Sequence, residues 1–222
     1  MARHTVVGNL LRNVELTADD WPKVGNVIAL YDAATQAERD EGETWYLVAN
    51  EHAKSMARLA PDLTVRRAAG IIAALSPQNS WTHNLNMAIR TAKFGKCPPS
   101  TIQRNCDKAD AIMAGAEPED VLGKGPKTLS FWQNIYDPAT SNAVTIDRHA
   151  VHAAYGEVMD DKRRGWALRQ RKDFDGYELV ANVYRQAARE INARDGRDLA
   201  PHQVQATVWV AWRNLNSTGG RT

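Results

Sequence analysis

Apolar residues recur at three- and four-residue steps along most of this 222-residue chain, and that periodicity confines it to helices. Trp45, Val48, Ala49, His52, Met56 and Leu59 make one stripe. Val65, Ala68, Ala69, Ile72 and Leu75 make a second, preceded by Thr64, whose hydroxyl suits an N-cap. A helix is predicted over 80–94, with Trp81, Leu85, Ala88, Ile89 and Ala92 on one face and Gly95 as its stop. Later, Tyr177, Val180, Ala181, Tyr184, Ala188 and Ile191 form a stripe, and Val204, Val208, Ala211 and Trp212 another, with Trp209 expected beside Trp212 in the core. No long strand-like alternation interrupts them, so the predicted class is all-α. The pattern is weakest up to about Asp40, and roughly the last six residues, including Gly219-Gly220, read as a frayed tail.

A chain of this length supports one substantial core or two small lobes. No apolar run approaches membrane-spanning length and no signal-peptide pattern opens the chain, so the expectation is a cytoplasmic monomer without a membrane partner. Cys97 and Cys106 read as free thiols of a reducing compartment. A net charge of +2 is too small to mark the whole surface as nucleic-acid binding, so any such surface must be a local patch. Lys162, Arg163, Arg164, Arg169, Arg171 and Lys172 form the densest basic segment, expected in a loop, and phosphate contact and plain solvation are both open for it.

The segment Leu122-Gly123-Lys124-Gly125-Pro126-Lys127-Thr128 carries the most chemistry. Two glycines around one residue permit a sharp turn, and Pro126 suits the first position of a helix, where its missing N–H costs nothing. Such a turn presents amide N–H groups and a helix start to an anion, and Lys124 adds a mobile positive charge. Ile146-Asp147-Arg148-His149 follows, with Asp147 placed 20 residues after Lys127 and suited to cap a helix over 148–156. His149 and His152 lie three apart on that helix, but spacing positions no third ligand, and no metal site is predicted.

These residues resemble the helix-hairpin-helix DNA glycosylases, most closely the endonuclease III group, whose hairpin reads Leu-Pro-Gly-Val-Gly-x-Lys-Thr and is followed by Val-Asp-Thr-His. Lys127 stands at the family's Schiff-base lysine and Asp147 at its catalytic aspartate. Ile71-Ile72-Ala73-Ala74-Leu75-Ser76-Pro77-Gln78 is similar to the family's apolar helix ending in Leu-Ser-x-Gln, and Lys108-Ala109-Asp110-Ala111-Ile112 to the helix before its hairpin. The likeness covers about Val65 to Gly156. Three features depart from it. The hairpin proline is missing after Val121-Leu122, Lys124 replaces the hydrophobic residue between the glycines, and Arg148 replaces a small polar residue. With two cysteines in the chain, the four-cysteine iron–sulfur motif is absent too.

The resemblance implies a two-lobed, all-α, helix-hairpin-helix glycosylase-like unit spanning 1–222. Its middle lobe would run over 65–145 with the hairpin at 122–128, and 1–64 with 146–216 would form the second lobe. It implies DNA as partner, a nucleoid-associated location, and no cofactor, with a monovalent cation at the hairpin carbonyls as the one allowance. DNA contact would come from Gly123, Lys124, Gly125, Thr128 and Arg148, and Gln78 would fill the space left by an extruded base. Asp147 would stabilise positive charge on the sugar, and Lys127 would act as nucleophile or phosphate contact. Trp81, Asn84 and His149 are candidates for the base pocket. Two other functions stay open. One is a phage-type DNA base-hypermodification transferase of the same fold, which joins an amino acid or polyamine to an activated hydroxymethyl pyrimidine. The other is a DNA-binding module without chemistry.

Overall fold

The computed structural model describes residues 3–5, 16–99 and 102–217; of the predicted six-residue tail, Ser217 ends the last helix, and 218–222, with the Gly-Gly pair, lie outside the described residues. In chain order the elements begin with β1 (Arg3–Thr5), β2 (Leu16–Ala18), α1 (Val24–Ala33) and α2 (Gln36–Ala57). There follow α3 (Val65–Leu75), α4 (Trp81–Phe94), α5 (Gln103–Met113), α6 (Pro118–Leu122) and α7 (Pro126–Tyr136). The chain continues with α8 (Arg148–Tyr155), α9 (Asp161–Ala167), β3 (Gln170–Arg171), β4 (Phe174–Asp175), α10 (Gly176–Asp195) and α11 (Pro201–Ser217). The protein is thus mostly helical. The two antiparallel ribbons, β1 with β2 and β3 with β4, are too short to leave an alternating signature.

Two compact units divide the chain, one made of 1–45 with 142–222 and the other of 46–141. The boundary at Tyr46 falls inside α2, earlier than the position near 65 suggested by the sequence.

In the unit of 46–141, α3 is the central element and packs against α4, α5, α6 and α7. Its residues from Ala68 to Leu75 are all buried, because the run Ala-Ala-Gly-Ile-Ile-Ala-Ala-Leu holds no polar side chain to turn outward. Full burial of Ile71, Ile72 and Leu75 contributes about 1.5–3 kcal/mol each. The Thr64 hydroxyl accepts from the Arg67 amide at 3.2 Å, as an N-cap should. Gly95 ends α4 in the left-handed conformation. Three stripe positions are corrected: Val48, Leu59 and Ile89 are exposed, and Leu59 lies beyond the end of α2, while Ala49, Ala53 and Met56 carry that helix's burial. Cys97 and Cys106 are joined in a disulfide, against the expectation of free thiols, because the packing of α4 on α5 brings their Cα atoms to 5.4 Å, within bridging range.

In the other unit, α1, α8, α10 and α11 pack on one another around a single core. The stripes on α10 and α11 predicted from periodicity are buried residue for residue. The basic segment is not a loop: Lys162, Arg163 and Arg164 lie in α9, and Arg171 lies in β3. Gly176 permits the turn from β4 into α10, since a Cβ there would collide with the Ala167 carbonyl oxygen.

Candidate functional site

The candidate residues fall into two groups, one in each unit. In the unit containing α8, the strand-like run Val144-Thr145-Ile146 is buried and leads into Asp147. The Tyr177 hydroxyl clamps it, accepting from the Ile146 amide at 3.0 Å and donating to the Val144 carbonyl at 2.8 Å. Asp147 is then held by both carboxylate oxygens. Its Oδ1 accepts from the Ala150 amide at 2.9 Å, capping α8, and its Oδ2 accepts from the Trp209 indole N–H at 3.0 Å. Capping engages one oxygen, and Trp209 engages the other. Arg213, one turn further along α11, stacks over the Trp209 ring at 4.3 Å.

Sequence reasoning missed Trp209 by assigning it to the core, whereas it is half-buried beside the fully buried Trp212. The available hint was its place at the border of the apolar stripe, where an indole N–H needs an acceptor.

Around this carboxylate, Arg148 is exposed and its Nε–H donates to His149 Nε2 at 3.3 Å. His149 is half-buried and lies edge-on to His152. His152 is buried, with Nε2 at 3.1 Å from the Met159 carbonyl, which accepts only and so fixes the Nε2–H tautomer. Burial, and secondarily the Arg164 charge, lower its pKa below the ordinary 6.5. The Tyr184 hydroxyl donates to the Ala150 carbonyl at 2.9 Å. Burial, followed by the Asp147 charge, raises its pKa well above the usual phenolic value.

The second group lies in the unit of 46–141. Gln78, on the turn between α3 and α4, is exposed and holds φ at 65°, the one non-glycine residue with positive φ among the described residues. Three hydrogen bonds hold the turn. The Asn79 amide donates to Ser76 O at 3.2 Å, Asn79 Nδ2 to Leu75 O at 2.7 Å and Asn105 Nδ2 to Pro77 O at 3.1 Å. Trp81 is half-buried, edge-on to His52 at 6.2 Å. Asn84 is buried on the inner face of α4, and its Oδ1 meets no donor.

In the same unit α6 ends at Leu122, whose carbonyl accepts from Lys108 Nζ at 2.9 Å. Gly123 follows with φ 86° and ψ 179°, a conformation open essentially to glycine alone. Gly125, by contrast, has an ordinary φ of −69°, and a Cβ there would meet open space, so the turn requires only the first of its two glycines. Gly125 caps α7 without a side-chain hydrogen bond, Pro126 takes the first helical position, and Thr128 is half-buried. Lys124 and Lys127 are exposed.

Among the described residues no cluster of three or more His, Cys, Asp or Glu could hold a metal ion, and no helix is long and apolar enough to cross a membrane. The model of a protein family described as "Family of unknown function (DUF7178)" matches residues 13–216. The chain belongs to that family. No curated protein and no solved structure matches it.

Proposed function

We propose that the protein is a DNA glycosylase that extrudes a modified or damaged base from duplex DNA and cleaves its glycosidic bond. The observation that carries this reading is Gln78. A left-handed backbone at a non-glycine residue costs on the order of 1 kcal/mol, and such strain persists where the surroundings over-determine it, commonly at functional positions. Here the hydrogen bonds from Asn79 and Asn105 hold the turn, and they keep an exposed amide side chain at its tip. A glutamine so presented can enter the space vacated by an extruded nucleotide and pair with the orphaned base through both its carbonyl and its NH2.

Asp147 supplies the chemistry in this reading. Its carboxylate, fixed by the Ala150 amide and the Trp209 indole, would stabilise the positive charge that develops on the sugar as the base leaves and would take a proton from the attacking water. The Gly123–Gly125 turn and Lys124 would hold a phosphate at the start of α7. A lysine nucleophile must be neutral, which requires desolvation or neighbouring cations. The exposure of Lys127 therefore favours phosphate contact over attack on the sugar.

Duplexes carrying varied pyrimidine and purine modifications, incubated with the protein and analysed by mass spectrometry, test the reading. A released free base supports it, and intact nucleosides that gain mass identify the transferase alternative. Gln78→Gly relieves the backbone strain while deleting the side chain, so that variant should unfold no more easily than wild type yet release at least ten-fold less base. Undiminished release by Gln78→Gly, or no base released from any duplex, rejects the assignment. Failure of borohydride to trap an actively turning-over enzyme would leave Lys127 as a phosphate contact.

A further inference from the structure

We infer that the corner formed by α9 and the β3–β4 ribbon is a stacking surface for the unpaired bases of single-stranded nucleic acid. Trp166, near the end of α9, is 49% exposed, and Trp21 is 51% exposed. Between them runs a continuous ladder. The Arg169 guanidinium lies 3.8 Å from the Trp166 ring centroid and 4.4 Å from that of Phe174, and Phe174 meets Trp21 edge-on at 6.3 Å. Indole rings are the largest apolar side chains, and two of them left half in water within one patch is a departure that core packing does not explain.

Hydrogen bonds tie the ladder to the backbone around it. An Arg169 guanidinium N–H donates to the Trp166 carbonyl at 2.7 Å, the Gly176 amide donates to the Arg169 carbonyl at 2.9 Å, and Arg171 pairs with Phe174 across the ribbon. Gly176 has no Cβ to hold the ribbon away from the end of α9. Flat ring faces held in advance cost little entropy when a planar ligand stacks on them.

Charge selects the partner. Of the six basic residues in this segment, Arg163 is paired with Glu157, Arg164 with Asp161, and Arg169 is enclosed by rings. Lys162, Arg171 and Lys172 are exposed and make no ion pair among the described residues, against Asp173 as the one acidic residue of the ribbon without a hydrogen bond or ion pair there. An apolar protein partner would have to bury these cations unpaired. A nucleic-acid strand offers a ring to stack and a phosphate to neutralise at each step.

The test uses the whole chain and labelled oligonucleotides of unmodified sequence, so its outcome is separate from that of base excision. A short thymidine homopolymer, the abasic strand of equal length and the matching RNA are titrated by fluorescence anisotropy. The homopolymer should bind about ten-fold more tightly than the abasic strand. Trp166→Ala should remove that difference, also in a Lys124→Glu background, and leave abasic binding unchanged. Trp21→Ala should weaken homopolymer binding without disturbing the Arg169 sandwich, which guards against a folding effect in the first variant. Replacing both Arg171 and Lys172 by glutamine should lower the slope of log K against log salt by about 1.4. Preference for DNA or RNA identifies the strand. Equal binding of homopolymer and abasic strand, or unchanged affinity in both tryptophan variants, overturns the inference, as would selective binding of an apolar peptide at this corner.

Discussion

The starts of α8 and α7 are built in opposite ways. At α8, the Asp147 carboxylate satisfies the Ala150 amide and also receives the Trp209 indole N–H, so the donors facing it are met from within the protein. At α7, Gly125 offers no side chain, Pro126 removes one amide, and the remaining first-turn N–H groups have no side-chain cap. Both helix starts carry the partial positive charge of the helix dipole. One has a resident carboxylate beside it and the other has no side-chain cap. In the reading proposed above, the first is a place for a fixed catalytic carboxylate and the second a place for a phosphate.

The largest way to break this contrast is Asp147→Ala. It deletes a cap worth about 1 kcal/mol and orphans the Trp209 N–H at a further cost of about 1–2 kcal/mol, so a total near 2–3 kcal/mol is expected in urea unfolding. Asp147→Asn is gentler but not silent, because one amide oxygen replaces two carboxylate oxygens and an NH2 group is turned toward a donor. It should cost about 1 kcal/mol, most of which is recovered in the Asp147→Asn, Trp209→Phe double variant. Stability of Asp147→Ala within about 0.5 kcal/mol of wild type would show that the resident anion does not hold α8.

A smaller effect separates the two glycines of the hairpin. Gly123→Ala forces a side chain into φ 86° and should cost about 1–2 kcal/mol. Gly125→Ala, with ordinary φ and open space, should cost under about 0.5 kcal/mol. If an anion docks at α7, Gly125→Ala should nonetheless weaken DNA binding on every sequence, since its methyl group lies in the approach. Equal stability losses for the two variants would mean that the turn is not shaped as described.

The smallest expected effect is a pH dependence. The folded pKa of His152 lies below 6.5, so the unfolded chain binds its proton more readily. The stabilising contribution of the neutral ring is complete above pH 6.5 and is lost as pH falls through the depressed folded value. Urea midpoints of wild type should fall through that window more steeply than those of His152→Asn, and parallel curves would contradict the burial of a neutral ring.

Local chemistry made much of this legible. The Thr64 cap, the Gly95 stop, Pro126 at the first position of α7 and Asp147 ahead of α8 each depend on residues within one turn of each other, and each is found where the sequence puts it. The stripes on α10 and α11 were equally plain, because those helices bury one broad face. The stripe on α2 was misread at Val48, since periodicity alone does not say how wide a face its neighbours cover. The α9 helix and the β3–β4 ribbon were hidden by composition, as a dense run of charges reads as a loop while Arg163 and Arg164 spend theirs on Glu157 and Asp161.

By itself, then, the sequence determined the helical class, the starts of α3, α7 and α8, the stop of α4, and the chemical types grouped at 76–84 and 122–149. Tertiary structure alone decided that Asp147 meets Trp209 across 62 residues, that Arg169 is sandwiched by Trp166 and Phe174, and that Gln78 takes a left-handed backbone. The reason is range. Caps, stops and stripes follow from hydrogen bonds and side-chain spacing inside one helix. Which indole reaches which carboxylate is fixed only when distant elements pack, and no periodicity in the chain encodes that distance.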